Sequence, residues 1–539
     1  MRHSLRSNDV ALFAVTLAMI AAAVFAVRIP DATGKSTWLA DLNIVSFDNT
    51  TLHADAFIPV ASSTTELFPV IIFPNSWGCP QLEYVTRALQ LGDRGYVALE
   101  YETRGWWLSG GEIDMAGPKD IQDAQVVIDF VAAHATEWQA DMTRVAMAGI
   151  SYGAGITLLT AGTDARVKVA VAMSGWNNLT DFAYGEQTPN YKQTQGLLHS
   201  SEDLGHPSAE MFELERDLTN HTNVSFITTF GNSRSPQRLV DVFNARNIPV
   251  FLSSNYGDRF FRPQYMLEFF PALTCPKMLL LNNGPHAMPE AVGLFVNTSY
   301  IWNQALLWLE AHLKNISNGI DAQKPLQMEL GTSIFSESRL NFTSDPSAST
   351  QPWYLARDGS LNPTAPPHNE SSVLEPTIFF STTQVLNSGT SDDTWEALGL
   401  PFVTNLSSAN VTTTALFQSA PLTSATLVCG TPSVQLRLGT TSSTGFQVYA
   451  FLYEVDPLFP TDGTYLTEGF YTQWASSPSP SVTTVTFPMH TLCRVIDVGS
   501  SIVLGIVLYN EQYVPANSSP EFSVSFATGG ESVLRLPSS

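Results

Sequence analysis

The chain lacks most of the features that mark a nucleic-acid binder, a metalloprotein or a nucleotide enzyme. Positive charge is scarce: 26 Lys and Arg stand against 49 Asp and Glu in 539 residues, a formal net charge of −23. With no Lys/Arg cluster, this balance argues against nucleic acid and anionic membrane surfaces as partners. There is no Walker-type loop, no dinucleotide fingerprint and no His/Cys spacing suited to a metal, so neither cofactor nor metal is expected. Internal repeats are also missing. Cysteine is limited to four residues, which in an oxidising compartment allow three pairings. Cys429 and Cys493 fall in one C-terminal region near strand ends, and a bridge between them is expected. Cys79 follows its strand whereas Cys275 precedes its own, so a parallel sheet would place them at opposite edges, too far apart to join.

What the chain does have is the run Gly149-Ile150-Ser151-Tyr152-Gly153, between a buried strand (Thr143–Met147) and an apolar helix (Ala154–Ala161). A sharp strand-to-helix turn needs glycine on both sides of the serine, because a Cβ there would meet neighbouring backbone. The turn lifts the Ser151 hydroxyl to the carboxyl edge of a sheet, above a helix N-terminus that favours negative charge. Five residues alone are a weak signal; the strand-and-helix context makes the pattern a nucleophile elbow.

A serine nucleophile needs a base and an orienting acid, which hydrolases of this architecture supply in the order Ser, Asp or Glu, His. Two later strand-plus-loop units fit. Ile248–Ser254 leads to Asn255-Tyr256-Gly257-Asp258, and Lys277–Leu281 leads to Asn282-Asn283-Gly284-Pro285-His286. Both put a polar group just past a buried run, on the same sheet edge as Ser151. His286 is thus the expected base and Asp258 the residue that fixes its tautomer. His134 and His312 fall in helical patterns instead.

Arg104-Gly105-Trp106-Trp107-Leu108-Ser109-Gly110-Gly111 resembles the Arg-Gly-x-x-x-Ser-x-Gly stretch of the Xaa-Pro dipeptidyl-peptidase and cocaine esterase family. Asp120 and Asp123, the elbow, Asn247–Val250 with Gly257-Asp258, and Gly284-Pro285-His286 follow that family's pattern in order. Tyr453–Pro457 and Tyr465–Gly469 are similar to its jelly-roll domain. The resemblance spans nearly everything after residue 38. It implies an α/β-hydrolase fold with a helical cap and a C-terminal β-sandwich, and a small-molecule ester or short peptide as substrate.

One position departs from the family. Its members use a tyrosine hydroxyl on the loop after the first central strand as an oxyanion donor. Here Pro69–Phe73 is followed by Pro74-Asn75-Ser76-Trp77-Gly78-Cys79, with Trp77 at the tyrosine's place. Its indole N–H is a donor and would join the Tyr152 peptide N–H. Alternatively Trp77 lines the pocket and Asn75 or Ser76 donates.

Composition organises the rest. Arg2 and Arg6 precede an apolar run from Val10 to Val27, so residues 1–27 read as a signal peptide or an uncleaved anchor. Either places the body outside the cytoplasm, secreted or membrane-anchored. Eleven Asn-x-Ser/Thr sequons (Asn49, Asn178, Asn220, Asn223, Asn297, Asn315, Asn341, Asn369, Asn405, Asn410 and Asn517) agree, since composition alone gives about five. A hydrolase domain is expected over 37–317, its cap over about 176–246 and its final helix over Leu294–Asn315. A β-sandwich is expected over 325–537, with Thr343–Ser372 a long loop. Expected pocket aromatics are Trp77, Trp106, Trp107, Tyr152, Trp176, Tyr256 and Phe260, with Asp181 and Glu186 as nearby acids. These walls favour ester substrates; Xaa-Pro dipeptide cleavage and a catalytically inactive binding module are the alternatives.

Overall fold

Ten strands over residues 36–342 pair into one sheet: β1 (Ser36–Val45), β2 (Thr51–Pro59), β3 (Phe68–Pro74), β4 (Val97–Tyr101), β5 (Ala140–Ile150), β6 (Val167–Met173), β7 (Val250–Gly257), β8 (Lys277–Pro285), β9 (Leu326–Glu329) and β10 (Arg339–Phe342). Their spatial order is β1-β2-β4-β3-β5-β6-β7-β8-β9-β10. The chain is seen in a computed structural model that describes residues 34–331, 338–365, 403–408, 414–440, 445–474, 481–508, 510, 513, 522–524 and 531–538. Residues 1–27, read as a signal or anchor, lie outside the described residues. No helix among the described residues is long and apolar enough to cross a membrane.

β1 and β2 form an antiparallel opening hairpin, and β4, β3 and β5 through β9 run parallel. The inner strands are apolar throughout because both faces are covered. Ile71 and Phe73 of β3 pack into a core with the helices Val85–Asp93 and Tyr300–Lys314. Val70 and Ile72 face the opposite core, built with Pro118–Ala133 and Tyr152–Thr163.

The sheet does not stop where the composition changes. β9 pairs in parallel with β8, Leu279 beside Leu326, and β10 closes the edge. Residues 326–342, assigned by composition to the β-sandwich, therefore complete the hydrolase sheet. A shift to Ser, Thr and Val marks strands without saying which sheet they join. The expected final helix is likewise two, Met288–Phe295 and Tyr300–Lys314, because Ser299 caps the second by accepting the Trp302 N–H at 3.4 Å.

Between β6 and β7 the helices Leu179–Tyr184, Tyr191–Leu204, Ala209–Asn220 and Val224–Ser233 form the cap. Val240–Arg246 returns the chain to β7, and Arg246 donates to the Ala161, Asp164 and Val167 carbonyls.

The C-terminal region is β-rich. Eleven strands among the described residues form one continuous ladder, with a separate pair, Thr426–Gly430 and Leu492–Ile496. Phe417, Val448 and Leu504 from one half of the ladder share a core with Val434, Phe487 and Leu534 from the other, so the sheet folds over on itself. Thr350–Leu355 and Ser360–Asn362 are strands of this ladder, not the expected loop; 366–372 lie outside the described residues. Cys429 and Cys493 are joined across the separate pair, while Cys79 and Cys275 are free and buried.

Candidate active site

Ser151 follows β5 with φ 53° and ψ −115°, a strained conformation for a residue with a Cβ. Its flanking glycines make the turn possible. A Cβ on Gly149 would lie 2.5 Å from the Gly153 carbonyl carbon, and one on Gly153 would lie 2.3 Å from the Pro74 oxygen. The serine N–H donates to the Met173 carbonyl at 2.8 Å. Its Oγ lies 2.7 Å from His286 Nε2, and His286 Nδ1 lies 2.7 Å from Asp258 Oδ2. The structure thus brings the three sequence-selected residues into one chain of hydrogen bonds at the carboxyl edge of the sheet.

Asp258 is fully buried and its second oxygen accepts the N–H groups of Phe260 and Phe261 at 2.9 and 2.8 Å. That turn lays both rings on the imidazole, at centroid distances of 5.0 and 5.2 Å. In the helix that follows His286, Glu290 accepts from Ser253 Oγ at 2.6 Å and Asn255 Nδ2 at 2.9 Å. Asn255 also donates to Ser174 Oγ, which accepts the Ala287 N–H. Burial raises the Glu290 pKa above the usual carboxylate range. Sequence gave no signal for Glu290, since an acid in the first turn of a helix is ordinary.

Trp77 lies beside the elbow, its ring edge-on to Tyr152 at 5.3 Å and to Trp106 at 4.9 Å. Its indole N–H, expected to face an oxyanion, donates instead to Ser200 Oγ of the cap at 3.1 Å. The alternatives are engaged as well. Asn75 Nδ2 donates to the Ser76 and Cys79 carbonyls, and Ser76 Oγ is bonded to Glu83 and the Ile150 carbonyl. The peptide N–H groups of Trp77 and Tyr152 make no hydrogen bond among the described residues. The Tyr152 phenol donates to Asp120 Oδ2 at 2.5 Å, and burial, then Asp114, pushes the Asp120 carboxyl up.

A small crevice beside Phe260 and Phe261 is lined by Trp176, Phe182, Tyr265 and Met266, with Asp181 and Arg262 as its charged groups. Burial pushes the Asp181 pKa up to about 6 against the pull of Arg262. Of the expected pocket residues, Trp106 is fully buried against Trp77, and Tyr256 turns away to donate to the Glu329 carbonyl. Glu186 accepts from Tyr265 at 3.4 Å.

A parallel sheet with a strained serine between β5 and its helix, and an imidazole on that serine, is the architecture of an α/β-hydrolase. The family model of X-Pro dipeptidyl-peptidases (S15 family) matches residues 48–288, and that of the X-Pro dipeptidyl-peptidase C-terminal non-catalytic domain matches 318–495. The chain belongs to this Xaa-Pro dipeptidyl-peptidase and cocaine esterase family and is a serine hydrolase. Solved structures agree in fold. A CocE/NonD family hydrolase from Staphylococcus aureus superposes with a TM-score of 0.69 at 12% identity, covering 94% of both chains. An α-amino acid ester hydrolase gives 0.68 at 14% identity, covering 95% of this chain and 100% of that one. An aminopeptidase from a marine sediment Thaumarchaeota archaeon gives 0.67 at 13% identity, covering 94% and 97%. No curated protein matches the sequence.

Proposed function

We propose that this hydrolase cleaves ester bonds outside the cytoplasm, through Ser151, His286 and Asp258 and an acyl-enzyme. The observation that carries the reading is the pair of 2.7 Å contacts from Ser151 Oγ to His286 and from His286 to Asp258. Ser151 Oγ attacks the substrate carbonyl while its proton passes to His286 Nε2. Asp258 accepts from His286 Nδ1–H, which fixes the tautomer and stabilises the imidazolium. The tetrahedral oxyanion is met by the peptide N–H groups of Tyr152 and Trp77. His286 then protonates the departing alcohol, and water releases the acyl group by the same steps in reverse order.

Aromatic walls favour apolar acyl or alkyl groups, and the one acid on the crevice, Asp181, faces the neutralising charge of Arg262. That acid is also what favours the second reading, Xaa-Pro dipeptide cleavage, which needs a carboxylate for a free ammonium. Specificity constants for p-nitrophenyl butyrate and an Ala-Pro p-nitroanilide decide between them; faster anilide cleavage overturns the ester preference. Ser151→Ala is expected to lower turnover by about 10⁶-fold and abolish fluorophosphonate labelling, and Asp258→Asn to cost about 10⁴. Labelling retained in Ser151→Ala sinks the triad.

An extracytoplasmic location is supported by the Cys429–Cys493 bridge. Of the eight sequon asparagines among the described residues, seven are exposed: Asn49, Asn220, Asn223, Asn297, Asn315, Asn341 and Asn405. Asn178 is half-buried and caps a helix. A mobility shift on glycosidase treatment of protein from a eukaryotic secretory host tests this; cytosolic, unmodified protein overturns it.

A further inference from the structure

The five residues from Asp258 to Arg262 carry the acid of the triad, both rings that flank the imidazole, and two arginines. Those arginines leave the hydrolase domain. Arg262 is 1% exposed, and its guanidinium lies 4.2 Å from the centre of the Phe470 ring and 5.9 Å from that of Tyr513. Phe470 and Tyr513, themselves packed at 4.5 Å, belong to the C-terminal domain. Arg262 Nη1 also donates to the Asp181 carbonyl of the cap at 3.1 Å. Arg259 points the same way, its Nε 3.7 Å from the buried carboxylate of Glu468 on the strand Asp462–Trp474. His490 completes the seam: burial, then the charges of Arg262 and Arg259, hold its pKa well below the usual histidine range.

We propose that the C-terminal domain positions the catalytic acid: Phe470 and Glu468 hold Arg262 and Arg259, and thereby fix the Asp258 carboxylate and the Phe260/Phe261 wall against His286. Among the described residues of that domain none touches Ser151, His286 or Asp258, so Phe470 and Glu468 are positioning residues. The geometry gives the reason. Between the two arginines the loop is a tight turn around one carboxylate, with Phe260 and Phe261 donating to Asp258 Oδ1. Arg259 adjoins Asp258 and Arg262 is separated from it by three residues, so a shift of either arginine is transmitted along the loop to the hydrogen bond on His286. A displacement of about 1 Å at such a bond costs on the order of 10²-fold in rate. A buried guanidinium on an aromatic face is a strong and directional anchor. The inference rests on the triad reading above.

A neighbouring contact supplies the control. On the same strand, Thr472 Oγ1 lies 2.7 Å from Thr188 Oγ1 of the cap, a residue outside the Asp258–Arg262 loop. Phe470→Ala is expected to lower kcat about tenfold or more with KM within about threefold, and Phe470→Tyr to restore it. Thr472→Val is expected to lower Tm while leaving kcat within about twofold. Arg259→Gln, at a side chain less deeply buried than Arg262, carries the same expectation as Phe470→Ala and serves if that variant does not fold. Folded Phe470→Ala or Arg259→Gln enzyme with kcat within about twofold of the parent overturns the proposal, as does an equal kcat loss in Thr472→Val. Turnover retained in Ser151→Ala is a separate failure, of the triad reading, whatever the seam variants do.

Discussion

The turn at Ser151 is set by the glycines beside it in sequence, whereas the loop that carries Asp258 is anchored by residues far along the chain. Around the serine, Gly149 and Gly153 leave the room the turn needs, and the Met173 carbonyl of the adjacent strand takes the serine N–H. Around the acid, the local turn supplies two N–H groups, but the loop's flanks end on Phe470, Glu468 and the Asp181 carbonyl. The first arrangement is a motif and can be read in five letters. The second is an assembly of three separate parts of the fold. It shows that two residues of one hydrogen-bonded chain can differ in how far away their geometry is decided.

The contrast can be broken most severely at the elbow. Gly153→Ala is expected to cost more than about 3 kcal/mol of stability and about 100-fold in turnover, since its Cβ would meet the Pro74 backbone oxygen at 2.3 Å. Denaturant unfolding and ester turnover check both. Wild-type-like values would mean that the turn has slack that the contact denies.

The loop facing the elbow, Pro74–Cys79, lies between these extremes, and its acid sharpens the comparison. Glu83 is fully buried and accepts from the Ser76 N–H and hydroxyl; burial pushes its pKa up from 4.5 to about 7. The folded chain therefore holds this proton more tightly than the unfolded one. Its contribution to stability is complete below pH 4.5 and is lost as pH rises to about 7. Over that window wild type is expected to lose about 3 kcal/mol that Glu83→Gln keeps, read from unfolding at pH 5 and pH 8. Parallel pH profiles would place the Glu83 carboxylate in a solvated site.

The smallest effect belongs to Trp77. Trp77→Phe removes the bond to Ser200 but leaves the peptide N–H, so about 1 kcal/mol of stability and less than a threefold change in kcat are expected. A drop of 100-fold would return the indole to the oxyanion.

Much of this was legible beforehand, and the reason is physical. The elbow, the chain order of Ser151, Asp258 and His286, and the buried strands carrying them are local patterns, and the structure contains them with ends shifted by a few residues. The Trp77 indole was misdirected because its acceptor, Ser200, sits in a polar cap helix (Tyr191–Leu204) that the sequence pattern did not suggest. Phe261 and Glu290 were missed because a ring set edge-on to an imidazole, or a carboxyl bonded to Ser253 and Asn255 of another strand, is a tertiary contact without a spacing. The break at Ser299 was missed because its capping signal lies inside an apolar helical run.

The sheet's last two strands have a consequence for any shortened form of the protein. A chain cut at residue 317, after the last hydrolase helix, would lose β9 and β10 and leave β8 as an open margin. β8 is apolar and long, and its bare N–H and C=O groups would recruit a strand from another molecule. The intact chain avoids this by ending the sheet on Arg339–Phe342, four residues with a charged first member. Such a short border offers little for a stranger to pair with. The smallest soluble hydrolase fragment should therefore end beyond Phe342, and one ending at 317 should precipitate or exchange strands.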